Sequence, residues 1–167
     1  MMTFNNIEIE ILQLIEKNSR YSIETIAKMV ELSTEEVQEI IQKLEKQKVI
    51  VEYNTMINWR KVDGHEDVTT IIDVKVTPKR GVGFDEIAKR IYRYPEVRSV
   101  YLMSGAYDLS AEIEGRSMSE VGNFVSDKLS TLDSVLSTTT HFVLKKYKHD
   151  GTIFDYGEED KRIVVSP

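Results

Sequence analysis

Three apolar stripes at helical spacing fill the first 44 residues, and none is wide enough to stand alone. Ile7, Ile11, Leu14 and Ile15 fall at i, i+4, i+7 and i+8. Ile23, Ile26, Ala27 and Val30 fall at i, i+3, i+4 and i+7, and Val37, Ile40, Ile41 and Leu44 repeat that second spacing. Each stripe predicts a short amphipathic helix. The separators, Asn18 to Tyr21 and Glu31 to Ser33, are short and polar. Ser22 is placed to cap the second helix. Ser33 and Glu36 form an S-x-x-E capping box, so the third helix is expected to start just after Ser33. Three such helices, with Leu32 filling the turn, can close one small core. A tight turn between the second and third makes the unit a helix-turn-helix. The β-branched run Val49 to Ile57 predicts a strand or short wing after it.

In a helix-turn-helix the third helix enters the major groove. With Val37, Ile40, Ile41 and Leu44 turned inward, its outer face is Thr34, Glu35, Gln38, Glu39, Gln42, Lys43 and Lys46. The amides of Gln38 and Gln42 suit adenine edges, and the ammonium groups of Lys43 and Lys46 suit phosphates. Tyr21 and Ser22, at the start of the second helix, can meet the DNA backbone beside exposed N–H groups. The candidate DNA-binding set is therefore Tyr21, Ser22, Ser33, Thr34, Gln38, Gln42, Lys43 and Lys46. The competing reading is a scaffold or dimerisation module with a solvated polar face. Glu35 and Glu39 favour it, because carboxylates repel phosphate. Glu39 can also accept from a cytosine amino group or orient Lys43 at i+4.

Beyond Asn58 the apolar period changes from helical to alternating. Asn58 to Asp67 reads as a linker. Thr69 to Val76 reads as a strand, broken over Pro78 to Gly83, and Phe84 to Ile91 as a helix that ends before Pro95. Val97 to Met103 and Tyr107 to Ile113 form two strands joined by Ser104-Gly105-Ala106, a hairpin. Ser117 with Glu120 is another capping box, opening a helix with Val121, Phe124, Val125 and Leu129. Val135 to Tyr147 is a long β-type run. The order βαββαβ is that of the ferredoxin-like sandwich, with helices on one face of a four-stranded sheet. The open face is expected to be apolar, through Ile72, Val74 and Val76 or their alternates, and to find a second copy of the chain.

The fold class is thus α+β: a winged helix-turn-helix domain over 1–57, a linker over 58–68, a ferredoxin-like domain over 69–148 and a tail over 149–167. In that tail Glu158-Glu159-Asp160 reads as a solvated patch and Ile163-Val164-Val165 as an edge strand. Lys and Arg number 22 against 28 Asp and Glu. The first 60 residues hold 7 basic and 10 acidic side chains, so neither domain is basic overall. DNA affinity leans on neutralised phosphates. Such a chain needs a narrow basic stripe, several copies, or both. There is no cysteine, which removes disulfides, thiolate metal sites and a cysteine nucleophile together. No apolar run has the length of a membrane span, and the N-terminus lacks a signal-peptide pattern. The chain reads as cytoplasmic, without a membrane partner.

Several segments together resemble the leucine-responsive/asparagine-operon regulators, the Lrp/AsnC family. They are the opening helix Ile7 to Ile15, the Leu32-Ser33 turn, Leu44-Glu45-Lys46-Gln47-Lys48-Val49-Ile50 with Tyr53 and Ile57-Asn58, Tyr94-Pro95-Glu96-Val97, Val100 to Asp108, and Phe142-Val143-Leu144-Lys145. The resemblance spans nearly the whole chain. It implies a transcription regulator whose partners are double-stranded DNA and a small-molecule effector, an amino acid, held between C-terminal domains. It also implies homodimers that gather into octamers or other assemblies, and no cofactor. The implied effector residues are Ser104, Gly105, Ala106, Tyr107, Asp108, Thr138 and Thr140. Their chemistry agrees: Gly105 permits close backbone approach, Asp108 suits an α-ammonium, and threonine hydroxyls and free N–H groups suit an α-carboxylate. The plain alternative is an ordinary hairpin with a surface charge. Four positions depart from the family pattern. Ala106 replaces the first acid of the Gly-Asp-(Tyr/Phe)-Asp turn, Glu31 replaces a glycine, and Gln42 and Lys43 stand where arginines are common.

Two other functions compete with a regulator. One is a sensing or scaffolding oligomer that has lost DNA binding. The other is an enzyme on the ferredoxin-like sheet, for which the residues offer little. His65, His141 and His149 are not at metal-ligand spacing, and no phosphate-binding glycine loop or nucleophile elbow is present.

Overall fold

The computed structural model describes residues 4–64, 67–77 and 83–154. The chain divides into two units, Met1–Met56 and Ile57–Pro167.

The first unit holds α1 (Asn6–Lys17), α2 (Ile23–Met29) and α3 (Thr34–Lys46). Their N-termini are closed by side chains, those of α2 and α3 by the serines that the sequence predicts. Ser22 Oγ accepts from the Thr25 N–H at 3.2 Å. Ser33 Oγ accepts from the Glu36 N–H at 3.2 Å, and the Glu36 carboxylate accepts back from the Ser33 N–H at 2.9 Å. Asn5 and Glu8 make the same reciprocal box at the head of α1, at 2.7 and 2.9 Å. Each cap of this kind is worth about 1 kcal/mol. Ile11, Ile26, Ala27, Val30 and Val37 form the buried core, with Leu14, Tyr21, Leu32 and Ile40 packed around it. Glu31, in the turn between α2 and α3, has φ 56°. This left-handed backbone costs a non-glycine residue roughly 1–2 kcal/mol, which is why a glycine suits the position.

The strand expected over Val49 to Ile57 does not form within one chain. The N–H groups of Val49 and Ile50 return to Leu44 O, at 2.9 and 3.3 Å, and residues 51–58 carry no regular element. A β-type sequence needs a second strand to bond, and this unit contains none among the described residues.

The second unit opens with a 3₁₀ turn, Trp59–Lys61. Its regular elements are β1 (Val68–Val76), α4 (Phe84–Ile91), β2 (Val97–Leu102), β3 (Leu109–Gly115), α5 (Met118–Phe124) and β4 (Val135–Phe142). A π-helical turn, Val125–Leu129, continues α5, and the Ser130 N–H reaches Val125 O at 2.8 Å. The sheet is antiparallel in the order β2-β3-β1-β4, the ferredoxin-like arrangement. The core lies between sheet and helices. Ile72 and Val74 of β1 and Leu109, Ala111 and Ile113 of β3 pack against Ile87, Ile91, Val121, Phe124 and Leu129. Lys128 lies over the rings of Tyr94 and Phe124 and pairs with Glu96, which ties the end of the α5 segment to the turn before β2.

Some expectations need correction here. Ile72, Val74 and Val76 are the buried, helix-covered side of β1, so they do not form the open face. Strand neighbours alternate sides, and the open face takes the other parity. It carries Thr69, Ile71, Asp73 and Lys75 of β1, opposite Glu114, Glu112 and Ser110 of β3 and His141, Thr139 and Ser137 of β4. The carboxylates decide the side, because a helix-covered core would leave them unhydrated. That face is therefore polar apart from Ile71 and Tyr101. Glu120 reaches the Arg116 N–H at 2.6 Å and not Ser117, so only half of that capping box forms. The β run ends at Phe142 and not at Tyr147. A small hairpin then follows, β5 (Lys148–His149) and β6 (Thr152–Ile153), where a tail was expected to begin. Its turn is Asp150-Gly151, with φ 44° and 76°, the backbone that an Asp-Gly pair favours. The expected linker is not free chain. Asn58 Nδ2 donates to Phe154 O at 3.4 Å, and the Arg60 guanidinium donates to Leu144 O at 3.2 Å. The expectations for Pro78 to Gly81, His65, Glu158 to Asp160 and Ile163 to Val165 lie outside the described residues.

Candidate functional site

The outer face of α3 is built by the stripe that buries its inner face. Val37 and Leu44 are fully buried. Gln38, Gln42, Lys43 and Lys46 are exposed, and Thr34 is half-buried at the first turn. Ser33 is exposed, but its hydroxyl already serves the cap, donating to Glu36 at 2.8 Å. Its N–H and hydroxyl hold the Glu36 carboxyl below the usual carboxylate range. Ser22 is likewise engaged as a cap, and Tyr21 is half-buried against the core. The group able to reach DNA without giving up an internal bond is thus smaller than the sequence set. It is Gln38, Gln42 and Lys46, with Thr34 beside them.

Lys43 has a partner that spacing along α3 did not suggest. Its ammonium sits 2.6 Å from Glu8 Oε1 on α1, and not on Glu39. Glu8 is 5% exposed. The Lys43 ammonium and the Asn5 N–H hold its carboxyl below the usual range. The signal for Glu8 was in the sequence as Asn5-x-x-Glu8, a capping box, but the cap does not say which cation comes to it.

The second candidate region is the turn between β2 and β3. It is pinned from below. The Asp108 Oδ2 accepts from the Val76 N–H at 2.9 Å, and its other oxygen lies 3.3 Å from Lys75 Nζ. These contacts, the Val76 N–H first, hold the Asp108 carboxyl below its ordinary value. The Asp108 N–H donates to Val74 O, and the Met103 N–H to Asp108 O at 2.8 Å. The Tyr107 hydroxyl meets Thr139 Oγ1 at 2.5 Å. Ser104, Gly105 and Ala106 are exposed, and their N–H groups have no partner among the described residues. A Cβ added at Gly105 would meet no atom within 4 Å, so packing inside one chain does not demand glycine there.

The structure thus brings Tyr107 and Asp108 together with the end of β1, and leaves Ser104 to Ala106 open above them. It does not bring Thr138 and Thr140 to the same side. They stand opposite Val74 and Ile72, on the helix-covered face of edge strand β4, whereas Thr139 stands on the other face with Tyr107. Thr139 and Lys75, which contact Tyr107 and Asp108, were not in the sequence set. Strand alternation was the available signal for Thr139. Among the described residues no group of three or more His, Asp or Glu side chains is placed to hold a metal ion, and no helix is long and apolar enough to cross a membrane.

A helix-turn-helix unit followed by a ferredoxin-like unit with a pinned, open turn defines a two-domain DNA-binding regulator. Known proteins agree. Residues 4–51 match the winged helix-turn-helix DNA-binding family, and residues 69–153 match the Lrp/AsnC ligand binding domain. The HTH-type transcriptional regulator YugG of Bacillus subtilis (strain 168) is 70% identical over 160 residues, 96% of each chain. The HTH-type transcriptional regulator LysM of Sulfurisphaera tokodaii is 30% identical over 138 residues, 83% of this chain and 93% of its own. The fold matches the transcriptional regulator NMB0573 of Neisseria meningitidis, solved with L-methionine, at a TM-score of 0.71 and 24% identity, covering 88% of this chain and 94% of the other. It also matches a feast or famine regulatory protein of M. tuberculosis complexed with L-methionine, at 0.74 and 20% identity, covering 92% and 100%. The chain belongs to the Lrp/AsnC family. It is a transcriptional regulator with a helix-turn-helix and a ligand binding domain, and not an enzyme.

Proposed function

We propose that this regulator senses a free amino acid at the β2–β3 turn, in a cleft that a second copy of the chain completes, and that the dimer carries two α3 helices to a two-fold DNA site. The observation that carries the reading is the turn itself. Three exposed N–H groups, on Ser104, Gly105 and Ala106, stand on a base held by Asp108 and Tyr107. Unpartnered N–H groups on a rigid base suit a carboxylate. That two proteins of the same fold were solved with L-methionine supports an α-amino acid as the ligand class. Asp108 acts here through the turn, because its oxygens are already engaged. Symmetry supports the dimer, since a half-site reader needs a second copy for a dyad. On α3, Gln38 and Gln42 are the base readers and Lys46 the phosphate contact.

The test is selection of genomic fragments by the purified protein at physiological salt, with and without a pool of free amino acids. Enriched sites with a dyad, changed in affinity or spacing by one amino acid, are the expected result. Dyad sites indifferent to every amino acid would overturn the sensing half alone. A monomer in solution would overturn the shared cleft.

A further inference from the structure

Lys43 is exposed on the last turn of α3, where a cation would ordinarily strengthen DNA binding. Its ammonium is instead 2.6 Å from Glu8, on a different helix. The two differ in exposure: the Lys43 side chain is 53% exposed and that of Glu8 only 6%. The other Glu8 oxygen is anchored by the Asn5 N–H at 2.9 Å, so the carboxylate does not follow the lysine outward. Glu36 and Glu39 line the same depression beside Lys43. If Lys43 turned to a phosphate, it would leave a nearly buried carboxylate without its cation, and an unpaired buried charge is costly.

We infer that Glu8 is a specificity-determining residue that withholds Lys43 from DNA and so lowers the sequence-independent part of binding. Phosphate neutralisation supplies affinity without sequence information. A recognition helix with a last-turn lysine held back relies more on Gln38 and Gln42. The pair thus shifts the balance from non-specific toward specific binding, at the expense of total affinity. Glu8 touches no base or phosphate in this arrangement. It acts through Lys43.

The experiment is the salt dependence of binding to a short duplex of scrambled sequence by the full chain, as wild type, E8Q, K43Q and E8Q/K43Q, with a thermal melt of each. In E8Q the amide oxygen still accepts from Asn5, so α1 keeps its cap while Lys43 is released. Each phosphate neutralised adds about 0.9 to the slope of log affinity against log salt. E8Q is expected to be steeper than wild type by about that amount for each helix-turn-helix. Its affinity then falls about 3- to 4-fold further than wild type's, per unit, between about 50 and about 200 mM salt. K43Q and the double variant are expected to keep the wild-type slope, although K43Q melts earlier because Glu8 is left unpaired. A purely structural role for Glu8 would change melting and leave every slope alone, which would overturn the inference. A shallower slope in K43Q than in wild type would overturn it as well, since Lys43 would then already be on DNA.

Discussion

The Asp108 carboxylate is fastened to the end of β1, accepting from the Val76 N–H at 2.9 Å, so the turn between β2 and β3 is fixed to a strand 32 residues earlier in the chain. The base of the proposed effector site is therefore central sheet and not loop. Replacing Asp108 by Asn keeps size but weakens both contacts, as an amide oxygen is a poorer acceptor than a carboxylate. D108N is expected to lose most of its response to the effector while still binding DNA fragments without it. Titration of the effector by calorimetry, alongside a DNA-binding assay, checks both halves.

The same carboxylate makes a pH prediction. Its pKa is lower in the folded protein than the ordinary value of 3.8. The stability it contributes is therefore complete above about pH 4 and is lost as pH falls through the lower, folded value. Acid unfolding of wild type should steepen in that window relative to D108N, with the two curves parallel near neutrality. Equal slopes below about pH 4 would contradict the assignment.

Tyr53 gives the opposite case at alkaline pH. Burial, then the hydrogen bond from its hydroxyl to Glu45 at 2.8 Å, raise its pKa to about 12. An acid whose folded pKa is raised contributes stability below its unfolded value, near 10, and loses it as pH rises through the folded one. Ultraviolet titration should show a late tyrosine step, near pH 12. In Y53F that late step should be missing.

Thr70 is fully buried in β1, and its hydroxyl has no partner among the described residues. Valine has the same shape without the polar atom. T70V is expected to stabilise the chain by about 1 kcal/mol, because the desolvation cost of an unsatisfied hydroxyl disappears. Denaturant unfolding at constant slope is the measurement. A loss of stability would mean that the hydroxyl has an unseen partner.

Gln38 is exposed on α3 and free of internal bonds. If it reads a base edge, Q38A should lower affinity for a selected dyad site by about 1–3 kcal/mol per contact, with little change on scrambled DNA. An equal loss on both duplexes would place Gln38 at the backbone and not at a base.

The sequence by itself determined the local elements. The stripes Ile23 to Val30 and Val37 to Leu44, with Ser22 and Ser33 as caps, place α2 and α3 because helix spacing and capping involve residues three or four apart. Phe84 to Ile91 was legible as α4 for the same reason, and the alternating runs showed that β1 to β4 exist. The Asp150-Gly151 hairpin was legible too, although it was read as tail. Only the tertiary structure decided which side of each strand is covered and which charges meet. Ile71 and Ile72 are alike as residues, and it is the pairing of Ile71 with Glu112 that puts one on the open face and the other in the core. Lys43 finds Glu8 across 35 residues, and Asp108 finds Val76 across 32. Such partners are set by how the elements pack, and a one-residue change in register would exchange them all. Local spacing therefore announced a helix-turn-helix and a hairpin turn, while packing decided that Lys43 pairs with Glu8 and that Asp108 fastens the turn to β1.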